Sequence, residues 1–276
     1  MKRYKNLFAA PYVIWAVLFT IIPLGLIFYY GFTKTTDAGN IVFTLENVKQ
    51  LADPVNLKAL WLAALLSLSS TVICFLLAYP LALLLSKSKV SKNSLLIFLF
   101  TLPMWMNGLM RIYAWQTLLE KNGVINTILR HLGLGTINII NTPYAIVLVM
   151  VYNFLPFMIL PIYNVLIKID QSFISAAEDL GANKWQTFRR VVFPLSLPGV
   201  ASGITMVFVP AFTTFVIPDI LGGGKVQLIG NIIEQEFKMN SQWNTGSGLS
   251  IVLMLVILVT MIPLSKNDSE GGTGLW

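Results

Sequence analysis

The sequence predicts an all-α integral membrane protein with six transmembrane helices. Composition speaks first: hydrophobic residues make up 56% of the 276 and charged residues only 11%, against roughly a quarter charged in a soluble domain. Run length speaks second. Six apolar stretches, at about 8–32, 60–85, 95–117, 144–167, 196–217 and 249–265, reach the roughly 17–25 residues a helix needs to cross a bilayer. Third, these runs do not alternate in and out as the strands of a membrane barrel do, so helices are the reading.

The first run begins at Phe8, is too long for the apolar region of a signal peptide, and is followed by no small-residue cleavage site. It reads as a retained span. Residues 1–57 then form the first helix and an outer loop, 58–267 a five-helix core, and 268–276 a polar cytoplasmic tail. Prolines fall in nearly every span: Pro23, Pro80, Pro103, Pro156, Pro161 and Pro210. In lipid they are tolerated where neighbouring helices or a cavity satisfy the freed carbonyls, so both plain kinks and a transport pathway fit them. Cys74 is the single cysteine, lies in the second span, and is uninformative about redox compartment.

Orientation follows from lysine and arginine. Lys2, Arg3 and Lys5 precede the first span. Lys87, Lys89 and Lys92 follow the second, and Lys168, Lys184, Arg189 and Arg190 follow the fourth. The remaining loops carry basic residues more thinly, so the positive-inside rule places both termini and residues 174–200 in the cytoplasm. The same bias accounts for the net charge of +7 without nucleic acid.

The segment ISAAEDLGANKWQTFRRVVFPLSLPGV, residues 174–200, is amphipathic and charged between apolar runs. Phe173, Ala177 and Leu180 recur at helical spacing, then Trp185, Phe188 and Val191 or Val192. Gly181 suits the left-handed position after a helix end. Asn183 with Gln186 forms a capping-box pattern, and Ser175 with Glu178 forms another, which allows a late start at Ser175. Pro194 and Pro198 are expected to close the second short helix and open the fifth span. A helix–hinge–helix results, with Trp185 and Phe188 beside Arg189 and Arg190. Each buried aromatic is worth roughly 1.5–3 kcal/mol, so something covers them. The membrane interface, the protein's own helix ends and a cytosolic partner all fit.

The segment resembles the signature of ABC-importer permeases: E-A-A, three residues, Gly, nine residues, then I-x-L-P. Ala176, Ala177, Gly181 and Pro194 match; Ser175 stands in the Glu place, Val191 and Phe193 in those of Ile and Leu, and Glu178 follows one turn on. The stretches FTLENVKQL, YPLALLLSKS, LPMWMNGLMRIYAW, LPFMILPIY and LGGGKVQLIGNIIEQEF extend the resemblance to permeases of spermidine/putrescine importers, of the PotB type. It implies a type I (MetI-like) importer fold in a bacterial inner membrane. It makes Ser175, Ala176, Ala177, Glu178, Gly181, Trp185, Phe188 and Pro194 a coupling element that fits a cleft on a cytosolic ATPase. The implied partners are an ATPase dimer, a second, PotC-like permease chain and an extracytoplasmic polyamine-binding protein. ATP and magnesium belong to the ATPase, and this chain binds no cofactor.

What the chain lacks agrees with that reading. LGGGKVQ lacks the first Gly and the Ser or Thr of a phosphate loop, and reads as an outer turn. No H-E-x-x-H or G-x-S-x-G occurs, and the lone His131 has no partners for a metal site. No Asp or Glu falls inside a predicted span, which argues against ion coupling. An importer of another small solute and, less well, an ion-coupled carrier remain alternatives. Gly199 and Gly203 predict close helix packing. Arg111, the one charge within a span, suits either a pair with Asp219 or a gate. Trp105, Tyr113, Trp115, Tyr152 and Tyr163, with Asn107 and Asn153, form a lining compatible with polyamine cations through cation–π contacts, although aromatics near span ends also form interface belts. Glu234 and Glu236 lie toward the outer mouth.

The orientation is checked by labelling. In a Cys74→Ser background, Lys184→Cys should react with an impermeant maleimide only from the cytosolic side; reaction from outside contradicts the topology.

Overall fold

The computed structural model describes residues 11–36, 40–87, 101–102 and 104–272. Lys2, Arg3, Lys5, Lys89, Lys92, Pro103 and the start of the third predicted span lie outside the described residues. The elements run in order as α1 (Pro11–Gly31), β1 (Thr33–Thr35), β2 (Ile41–Phe43), α2 (Glu46–Lys49), α3 (Pro54–Lys87), α4 (Gly108–Leu119), α5 (Val124–His131) and α6 (Pro143–Leu166). They continue as α7 (Gln171–Asp179), α8 (Lys184–Thr213), α9 (Val216–Gly222), α10 (Ile229–Lys238) and α11 (Trp243–Gly272). Of these, α1, α3, α6, α8 and α11 are long and apolar enough to cross a membrane.

Three expectations shift. The third span is not one helix to 117: the chain bends at Met106 and Asn107, and α4 starts anew at Gly108. The cause is local, since the Asn107 side-chain oxygen accepts from the amides of Leu109 (2.9 Å) and Met110 (3.2 Å) and starts a new helix. Pro194 does not separate a short helix from the fifth span either. Instead α8 runs unbroken from Lys184 to Thr213, with a π-turn at Phe188–Val192. The Phe193 amide reaches back to the Phe188 carbonyl, and one extra residue in the turn makes room where Pro194 lacks an N–H. The π-turn Val17–Ile21 of α1 stands in the same place before Pro23. Finally, α11 continues through Gly272, into the segment read as a polar tail.

The chain groups into two compact units. The first comprises Met1–Leu60 with Ile232–Leu258. In it β1 and β2 pair antiparallel, Thr33 opposite Phe43, a short hairpin that no alternating pattern announced. The carbonyls at the end of α1, which have no partner within the helix, are taken up by two asparagine amides. Asn47 donates to Gly31 (3.2 Å) and Thr33 (2.9 Å), and Asn244 donates to Tyr30 (3.1 Å) and Thr33 (2.6 Å). Ala59, Ile232 and Leu249 form its small core.

The second unit comprises Trp61–Asn231 with Val259–Trp276. On α3 most of the buried residues are small, Ala63, Ser67, Ser70, Thr71, Cys74, Ala78 and Ala82 beside the larger Leu66, Tyr79 and Leu85, while Leu65, Leu68, Leu76, Leu77 and Leu84 face outward. This inverts the soluble pattern. Lipid is as apolar as leucine, so small residues that let backbones approach take the interface. The Ser70 and Thr71 hydroxyls donate to the Ser67 carbonyl within the same helix, so burial costs them no partner. The expected Gly199–Gly203 packing is present: a β-carbon at Gly199 would lie 2.8 Å from the Pro161 carbonyl oxygen, and one at Gly203 2.7 Å from Met158 Sδ. Here α8 meets α6 most closely, around Met158, Ile162, Val200 and Val207.

Gly199→Val should therefore lower thermal stability in detergent by about 1–3 kcal/mol through overpacking. Gly25→Ala, with nothing within 4 Å of the added carbon, should not lower it, since alanine suits a helix interior better than glycine.

Candidate coupling site

Residues 170–196 build the site from local signals. Asp170 caps α7, its carboxylate accepting from the Ser172 amide at 2.9 Å. That bond, and after it the Ser172 side chain, holds the Asp170 carboxyl below the usual carboxylate range. Helix α7 thus begins at Gln171, four residues ahead of the alternative start at Ser175. It ends in a Schellman motif: the Gly181 amide donates to Glu178 (2.9 Å) and the Ala182 amide to Ala177 (3.0 Å). Gly181 sits at φ +83°, where a β-carbon is strained. Asn183 and Gln186 then complete the expected capping box, each side chain bonding the other's amide at 2.9 Å.

The two short helical pieces present an apolar surface around the glycine hinge. Leu180 is 89% exposed and Trp185 66%, with Phe173 exposed beside Ser175, Ala176 and Glu178. Ile174 and Ala177 turn partly inward. Between α7 and the ends of α3, α6 and α8 lies a cavity of about 500 Å³, with Leu83, Leu166 and Val192 among its apolar walls and Lys87, Glu178 and Lys184 among its polar ones. Phe188, expected on the surface with Trp185, is half-covered instead. Its ring stacks on Trp185 at 5.5 Å and meets Tyr79 edge-on at 5.8 Å. Pro194 lies exposed within α8. Leu180 and Tyr79 were not singled out as site residues from sequence. The signal for Leu180 was an apolar residue immediately before the hinge glycine; Tyr79 had none, since Phe188, Phe193 and Ser196, which it meets, are more than a hundred residues away in the chain.

The residues proposed for a pathway sit in different surroundings. Trp105 is 81% exposed and Tyr113 is exposed. Asn107 caps α4. Asn153 is buried and donates to the Val149 carbonyl at 2.8 Å. Tyr152 packs edge-on against Trp115 at 5.2 Å, joining α6 to α4; Tyr163 is buried in the core. Arg111 is half-buried, and Asp219 is exposed in the first turn of α9. Ion pairs among the described residues include Lys34–Glu46 and Lys238–Glu234; Asp219 takes part in neither. The LGGGKVQ stretch is a turn, as read: α9 ends at Gly222, with Gly223 and Gly224 both left-handed.

Residues 60–266 match the family described as "Binding-protein-dependent transport system inner membrane component". The chain belongs to this family. It is 38% identical over 267 residues to the spermidine/putrescine transport system permease protein PotB of Haemophilus influenzae, covering 94% of this chain and 93% of that protein. It is 38% identical over 247 residues to the PotB protein of Escherichia coli K12, covering 88% and 90%. Similarity at 30% identity, covering 84% and 78%, extends to the inner membrane ABC transporter permease protein YdcU of the same organism. Among solved structures, a chain of a bacterial ABC transporter importing the acidic polysaccharide alginate shares the fold at TM-score 0.80 and 17% identity, covering 99% and 98%. A chain of the MetNI methionine ABC transporter follows at TM-score 0.56 and 15% identity, covering 78% and 95%. The chain is thus a multi-pass inner-membrane permease component of an ABC transporter, built on the importer fold.

Two substitutions test the surface. Gly181→Val forces a β-branched residue to positive φ, at about 1–2 kcal/mol or more, and should redirect the entry to α8. Trp185→Ala removes an exposed ring and should leave the fold intact. Both should insert and accumulate normally yet lower ATPase co-purification or substrate-stimulated hydrolysis several-fold; wild-type values in both would mean that the surface does not dock.

Proposed function

We propose that the chain is one of two permease subunits of an ATP-driven polyamine importer, taking up spermidine or putrescine. The observation that carries this reading is 38% identity to PotB proteins over about nine tenths of each chain, spanning both the coupling segment and the membrane helices. The partners are a dimeric cytosolic ATPase, a PotC-like second permease and an extracytoplasmic binding protein, with both termini in the cytoplasm. ATP and magnesium are bound by the ATPase, not by this chain.

In mechanism, Phe173, Leu180 and Trp185 enter a cleft of the ATPase, and the Gly181 hinge sets the angle between α7 and α8. Closure of the nucleotide sites then displaces the cytoplasmic end of α8. A polyamine is a flexible cation with methylene spacers, and Trp105 and Tyr113 offer it ring faces worth about 0.5–2 kcal/mol each. A second reading is import of another small solute by the same machinery, since the similarity extends to YdcU, an ABC transporter permease whose name specifies no solute.

Radiolabelled spermidine uptake into vesicles holding the complete complex should require ATP. Trp105→Ala or Tyr113→Ala should reduce it more than Asp219→Asn. ATP-driven uptake of a different solute, with polyamines inert, would establish the second reading.

A further inference from the structure

Trp185 lies at the surface and Tyr79 is buried in α3, yet they belong to one chain of contacts. The Trp185 ring stacks on Phe188, Phe188 meets Tyr79 edge-on, and Tyr79 packs against Phe193 at 5.7 Å. The Tyr79 hydroxyl lies 2.8 Å from Ser196 Oγ, fully enclosed, and Ser196 Oγ lies 2.8 Å from the Phe193 carbonyl oxygen. A serine hydroxyl has one proton, and a carbonyl only accepts. Ser196 therefore donates to Phe193, and Tyr79 donates to Ser196. The hydrogen-bond chain ends on the residue whose own amide closes the π-turn onto Phe188.

Both helices carry a proline near the point where this tie joins them. Tyr79 immediately precedes Pro80, which deprives α3 of one ladder hydrogen bond. Ser196 follows Pro194 and the π-turn of α8 by a few residues. Helices bend at such points, so a displacement of Trp185 would be absorbed there unless something fixed the two helices to each other. The surrounding contacts are mostly apolar side chains, such as Ala78, Val192 and Val200, which can slide past one another. A hydrogen bond in a desolvated site is directional, and no water replaces it when it breaks.

We infer that Tyr79 and Ser196 are positioning residues for energy coupling: their hydrogen bond locks the coupling segment to α3, so that movement of Trp185 against a docked ATPase also moves α3. The inference rests on the proposed function and adds to it a second helix that is driven directly. Trp185 makes the contact outside, Phe188 relays it, and the hydroxyl pair prevents slip.

The experiment measures substrate taken up per ATP hydrolysed, with the complete complex in proteoliposomes, for Tyr79→Phe, Ser196→Ala and the double variant. Phenylalanine keeps the ring packing, so Tyr79→Phe probes the hydroxyl alone; the amount of bound ATPase is recorded for each. The expected result is a fall in uptake per ATP of about three- to tenfold in each single variant, the range a net hydrogen bond carries. The double variant should be no worse than the poorer single, with ATPase binding unchanged. Wild-type ratios in both single variants, or losses that multiply in the double, would overturn the inference. A wild-type complex inert toward polyamines would instead refute the substrate assignment, and the same ratios would then be read with the solute that stimulates its ATPase.

Discussion

Where Gly199 and Gly203 face α6, the backbones come close enough that one added carbon would meet the Pro161 carbonyl oxygen or Met158. Hydrocarbon gives two helices no hydrophobic gain for meeting, so their association comes from packing at short range and from polar groups that find partners. The glycines allow that range. Val200 and Val207 then reach Met158, Ile162 and the small-residue face of α3 around Cys74 and Ala78. The middle of α8 is held by this contact, and the stretch before it, including the π-turn and Trp185, extends from that base.

That base matters because α8 does not stop at the membrane surface. Had Pro194 ended one helix and begun another, Trp185 would hang on a joint. Continuing the ladder through a π-turn lets the helix keep going at the cost of one longer turn, and Phe193 and Phe188 supply the bond that a regular turn would lose. The flexible point lies instead at Gly181, where the Schellman motif and the Asn183–Gln186 capping box define both sides of a single left-handed residue.

The first unit uses a different device. Asn47 and Asn244, from separate parts of the chain, both donate to carbonyls at the end of α1. The last carbonyls of a helix have no partner within it, and two amides directed at one helix end satisfy them while fixing where α1 stops. The hairpin that follows is anchored by the same Thr33 carbonyl.

By itself the sequence determined the class, the long helices, the hinge at Gly181, the cap at Asn183 and the glycine contact of α8. Each depends on residues within a few positions of one another: run length, a left-handed site, a side chain reaching three residues along, two glycines a turn apart. The tertiary structure alone decided which faces are buried, that α8 is continuous through Pro194, that Phe188 turns inward, and that Tyr79 holds Ser196. Lipid removes the polarity signal that marks a core in water, so α3 hides serines and alanines and displays leucines, a choice no hydropathy pattern records. Phe188 and Tyr79 find their partners across helices, and such contacts exist only once the close approach of α6 and α8 has set where each side chain points.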